Sequence, residues 1–113
     1  MNKYIKVLPE EFEGKGECKG YYFRRCRTYD EFYVYAVNLL DSPNNITHYE
    51  VIKKLITPLC IDFEKKIFSE THFKEYYPKG RNWGTDGWTC KDWMAVKRRI
   101  NKLLDKEVKD GRG

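Results

Sequence analysis

The segment from Thr89 to Lys109 reads TCKDWMAVKRRINKLLDKEVK, and its periodicity decides what the rest of the chain must do. At about 100° per residue, Trp93, Val96, Ile100, Leu103, Leu104 and Val108 fall within one arc, the width of a helical stripe that packs on a core. Thr89, with Asp92 three residues on, predicts an N-cap and a first-turn acid, and Gly111 predicts the stop. The opposite arc carries Arg98, Arg99, Lys102, Lys106 and Lys109 without an acid. Such a helix organises a core on one side and presents positive charge on the other.

The residues upstream supply a sheet for that helix to cover. From Gly20, Tyr21, Phe23 and Arg25 alternate with Tyr22, Arg24 and Cys26, and after the polar turn Thr28 to Glu31, Phe32, Val34 and Ala36 alternate with Tyr33, Tyr35 and Val37. Two such runs joined by a short polar link predict a hairpin. The stretch Asp41-Ser42-Pro43-Asn44-Asn45 is the strongest turn signal in the chain, because asparagine, aspartate and serine bond their own backbone and proline fixes φ. Ile46 to Leu55 predicts a third strand closed by Pro58, and Leu59, Ile61 and Phe63 alternate with Cys60, Asp62 and Glu64 as the inner and outer faces of a fourth.

Two stretches stay open. Met1 to Glu17 fits a short edge strand or a helical turn followed by a loop, and Lys65 to Tyr77 fits a hairpin extension or a short helix. Between Pro78 and Trp88 lies a loop in which Gly80, Gly84 and Gly87 frame Trp83, and the tail 110–113 is expected to fray. The sum is one α+β domain spanning 1–113: a meander of about four antiparallel strands with the C-terminal helix laid on one face.

Composition narrows the function. A chain of 113 residues is long enough for one core without disulfides or metal. Its 22 basic and 17 acidic residues leave +5, a balance that favours acidic partners. The charge is concentrated: residues 18–28 hold Lys19, Arg24, Arg25 and Arg27 against no acid, and residues 91–109 hold seven cations against three acids. No run reaches the ~18 apolar residues of a membrane span and Met1 to Gly16 has no signal-peptide core, so action in the cytoplasm, away from membranes, is expected. Cys18, Cys26, Cys60 and Cys90 lie 8, 34 and 30 residues apart with only His48 and His72 to assist, which predicts free, mostly buried thiols and no metal.

Three motifs carry a resemblance. Glu13 to Phe23 (E-G-K-G-E-C-K-G-Y-Y-F), Thr47 to Lys54 (T-H-Y-E-V-I-K-K), and Tyr77-Pro78-Lys79 followed by Trp83-Gly84 and Trp88-Thr89 resemble, in that order, small proteins of uncharacterised function encoded by bacteriophages and other mobile elements. The chain departs from them between Leu55 and Lys74, which is longer here. The resemblance implies a genomic context in which proteins of this size bind a host protein or a nucleic acid.

Candidate surfaces follow from the residue types. Arg24, Arg25 and Arg27 sit among Tyr22, Tyr33 and Tyr35 on paired strands, a composition that holds single-stranded nucleic acid by stacking and phosphate contact, marks a protein interface, or simply covers a half-buried sheet. The cations Arg98, Arg99, Lys102 and Lys106 include like-charge pairs four residues apart, which an anionic partner would relieve. Trp83 and Trp88 either present an aromatic anchor or plug the end of the helix and sheet layers. His48, Glu50 and Asp62 could share a sheet face, the minimum for acid–base work, but polar residues on an outer strand face predict the same set. No phosphate-binding glycine loop, nucleophile elbow or paired-histidine helix is present in the sequence. The expectation is therefore a non-enzymatic binding protein, without cofactor, that engages a host protein and inhibits a bacterial defence system; the alternative is a DNA- or RNA-binding module.

Overall fold

A computed structural model describes the backbone of residues 4–112 and the side chains of residues 4–105. Eight strands precede one helix: β1 (Tyr4–Lys6), β2 (Glu11–Glu13), β3 (Tyr21–Thr28), β4 (Phe32–Leu39), β5 (Ile46–Lys53), β6 (Leu55–Asp62), β7 (Ile67–Tyr76), β8 (Gly87–Cys90) and α1 (Trp93–Arg112). The class is α+β, with more strands than the four expected, divided between two sheets. Five strands order as β2-β3-β4-β5-β8 and three as β1-β7-β6. All pairings are antiparallel except β1 with β7.

The central strand β4 explains the larger sheet. Every residue from Phe32 to Asn38 is buried, so both of its faces are covered. Phe32 and Val34 join Val51, Cys90, Val96 and Ile100 beneath α1. Tyr33, Tyr35 and Val37 join Phe23 and Ile52 on the other face, where Leu8, Phe12, Tyr77 and Trp83 pack over them. Covering by a helix on one face alone was expected; here the N-terminal segment and the loop after β7 close the second face, which is why β4 is apolar on both sides. The β3–β4 hairpin and the turn after it are as the alternation predicts, with Ser42 N–H donating to the Leu39 carbonyl at 3.0 Å. A bulge between Arg25 and Arg27 interrupts the pairing of β3.

Helix α1 starts later than expected. Thr89 lies in β8, and the cap is Asp92, whose Oδ1 accepts from Ala95 N–H at 2.9 Å. Val96 and Ile100 are buried and Trp93 and Leu103 packed against them, whereas Leu104 is exposed. The helix continues past Gly111 to Arg112; Val108, Lys106 and Lys109 lie outside the described side chains.

The smaller sheet corrects the reading of residues 46–64. Pro58 does not close a strand: it lies within β6, an edge strand, the position where a missing N–H is tolerated. The stretch 65–77 resolves as the long strand β7, hairpin partner of β6. Because this sheet lies outside the helix-covered one, the supposed inner face of Ile61 and Phe63 has nothing over it. The N-terminal alternatives resolve as two short strands, β1 and β2, followed by a 3-10 turn at Gly16–Cys18.

Candidate functional site

The arginine and tyrosine residues do not form one face. Tyr33 and Tyr35 point into the second core and are buried, so their rings are closed to stacking with a ligand. Arg25 goes with them: its guanidinium stands 4.0 Å from the Tyr33 ring centre and donates to the Leu8 carbonyl. Arg24 and Arg27 alternate to the helix side, Arg24 over Tyr22 at 5.8 Å and donating to the Pro43 carbonyl at 2.8 Å, Arg27 over Trp93 at 5.4 Å. Each arginine thus caps an aromatic ring.

His48 and Glu50 do share a face of β5, with Nε2 and Oε2 3.0 Å apart. Asp62 is not with them; it sits in β6, where its Oδ1 accepts from Lys65 N–H at 3.1 Å. Glu50 is buried, and its other oxygen accepts from the Tyr77 hydroxyl. Burial pushes the Tyr77 phenol well above its ordinary value, and the Glu50 carboxylate adds to the effect. Thr47 Oγ1 lies 2.9 Å from His48 Nδ1. Every polar atom of the trio has a partner, the pattern of a structural lock. The nearby Cys18 thiol is pushed up by burial, then by Glu50 and Glu17, opposite to what a reactive thiolate needs. Contrary to the expectation of mostly buried thiols, Cys18, Cys26 and Cys60 are exposed and only Cys90 is buried.

The two tryptophans also divide. Trp83 stacks on Tyr77, with ring centres 6.4 Å apart, and its Nε1 donates to Thr89 Oγ1 at 2.9 Å. Gly87 makes room for it: a Cβ there would stand 2.5 Å from the Trp83 ring. Trp88 packs against the helix-side core beneath Arg99, whose guanidinium lies 5.4 Å from its ring. On the outer arc, Arg98 and Lys102 are exposed and join Arg99 along a groove beside Thr89, Cys90 and Ala95. Lys106 lies outside the described side chains.

Among the described residues, the two most exposed large apolar side chains are ones that alternation assigns to an inner strand face. At the β6–β7 tip, Phe63 is 87% and Ile61 68% exposed, and Ile67 and Phe68 are exposed beside them. The tip is held by local bonds: Asp62 accepts from Lys65 N–H, and Lys66 takes φ of 54° with its N–H donating to the Phe63 carbonyl at 3.4 Å. Alternation could have located these side chains; nothing in the sequence says that no layer covers them.

Comparison of the chain with known protein families, curated proteins and solved structures finds no match. Among the described residues no helix is long and apolar enough to cross a membrane.

Proposed function

We propose that this chain is a small binding protein of phage or mobile-element type that engages a protein of the host cell, with inhibition of a bacterial defence system as the consequence. One observation carries the reading: Ile61, Phe63, Ile67 and Phe68, around the tip of the β6–β7 hairpin, are all exposed to water. Exposed apolar side chains on a hydrogen-bonded hairpin suit an interface, because they bury area on binding without ordering a loop first. The host cell as the source of the partner rests on the resemblance of three short motifs to phage-encoded proteins. Affinity capture from a nuclease-treated bacterial lysate tests the proposal. A protein retained by the native chain and lost with Ile61→Ser/Phe63→Ser supports it; no protein above background sinks it.

A second reading, nucleic-acid binding, is favoured by the groove in which Arg98, Arg99 and Lys102 converge without an acid in the lining. Such binding weakens steeply with salt as phosphate contacts release counterions. Its test is a titration with single- and double-stranded DNA and RNA at two salt concentrations, and the absence of salt-sensitive binding removes it.

A further inference from the structure

A cavity of about 390 Å³ opens where the end of β7 meets the turn that follows it, lined by Thr57, Lys74, Tyr76, Lys79, Arg81 and Asn82. Three of the six lining residues are cations and none is an acid. Among the described residues none of the three is in an ion pair; the pairs there are His48 with Glu50 and Lys53 with Asp86. Cations gathered around one concavity repel one another and raise its affinity for an anion.

The fold holds these groups in place. Thr57 and Lys74 are cross-strand partners, and Tyr76 follows two residues on, so all three share a face of the smaller sheet. Tyr77 alternates to the opposite side and packs in the second core, where Trp83 stacks on it. That anchor fixes both ends of the segment Lys79 to Asn82, which is wound as a 3-10 turn with Asn82 N–H donating to the Lys79 carbonyl at 2.9 Å. Asn82's own carbonyl accepts from Thr85 and Asp86 N–H. The cations therefore converge from a strand and a pinned turn.

We propose that this cavity is a binding site for a nucleoside phosphate, the phosphates held by Lys74, Lys79 and Arg81 and the base laid on the Tyr76 ring. Its volume lies within the roughly 300–1,000 Å³ of small-ligand sites. Arg81 supplies a planar fork for two phosphate oxygens, the lysines supply point charges, and Thr57 and Asn82 supply hydrogen-bonding groups for the sugar. The proposal is independent of the apolar hairpin.

The test is a calorimetric titration of the whole chain at low salt with each of the four ribonucleoside triphosphates, with adenosine, and with inorganic triphosphate. The site predicts saturable one-to-one binding of at least one nucleotide, with both fragments weaker. Lys74→Gln/Arg81→Gln should weaken it by about tenfold or more through lost charge-assisted contacts. Tyr76→Leu should bring the nucleotide down to the affinity of triphosphate alone. Lys74 and Arg81 are exposed, so the double variant should melt as the native chain does. No saturable binding of any nucleotide at millimolar concentration overturns the proposal, as does full affinity in the double variant. Triphosphate binding as tightly as the best nucleotide overturns the role of Tyr76. A single-stranded oligonucleotide bound far more tightly through the same residues replaces the small ligand with nucleic acid.

Discussion

The Arg25 guanidinium lies over the Tyr33 ring, 4.0 Å from its centre, and the same side chain donates to the Leu8 carbonyl. Around this pair the N-terminal segment is tied down: Leu8 N–H and the Tyr33 hydroxyl both donate to Glu75 Oε1, at 2.8 and 2.7 Å, and the Tyr35 hydroxyl donates to the Pro9 carbonyl at 2.9 Å. Replacing Arg25 with alanine should cost roughly 2–4 kcal/mol from the ring contact and charged hydrogen bonds together. Urea denaturation measures this. Loss of less than half a kcal/mol would mean that the strap is held elsewhere.

The same cluster makes stability fall in alkali. Burial, followed by the Glu75 hydrogen bond and charge, pushes the Tyr33 phenol from 10.0 up to about 12. Tyr35 and Tyr77 are raised as well, chiefly by burial. A raised folded value means that the unfolded chain releases its proton first, so Tyr33's contribution is whole below pH 10 and is lost as pH climbs towards 12. For Tyr33 alone the loss is on the order of 2–3 kcal/mol. Stability of the native chain and of Tyr33→Phe, followed from pH 9 to 12, should converge; parallel curves would contradict the assignment.

Moving the cap from Thr89 to Asp92 gives a clean contrast. Asp92→Ala should lower stability by about 1 kcal/mol, the usual worth of an N-cap. Thr89→Ala should leave helix content unchanged and release only the bond from Trp83 Nε1. Circular dichroism with thermal melting separates the two, and a larger helix loss in the Thr89 variant would restore the earlier start.

Arg98→Gln/Lys102→Gln tests whether the outer arc is more than a solvated face. Both side chains are exposed and stand four residues apart, so their removal relieves a like-charge pair worth a few tenths of a kcal/mol. Melting temperature should hold or rise slightly. Trp93→Ala is the contrast: Trp93 packs edge-on against Tyr49 at 5.5 Å, and truncation there should cost about 3–5 kcal/mol.

What could be read in the sequence was local. The β3–β4 hairpin, the Asp41–Asn45 turn and the Trp93, Val96, Ile100 stripe follow from periodicity and turn chemistry within a few residues. The parallel pairing of Tyr4 with His72 joins residues far apart in the chain, and no local pattern announces it. The differences over which sheet faces are covered share one cause. Alternation shows which side chains share a face but not whether another layer covers it. Alternation leaves Tyr33, Tyr35 and Arg25 as either a ligand surface or a covered sheet face, and Leu8, Phe12 and Tyr77 cover it; it puts Ile61 and Phe63 on an inner face, and they stand in water. Alternation alone therefore cannot tell an open sheet face from a roofed one.

Site-specific photo-crosslinking tests the central claim most directly. A photoreactive phenylalanine analogue at position 63 is introduced in the host cell, with the same analogue at Lys102 as the comparison. The protein-binding account predicts a nuclease-resistant covalent adduct with a host protein at position 63 and little or none at 102. Adducts at 102 only, adducts that nuclease removes, or no protein adduct at 63 would contradict it.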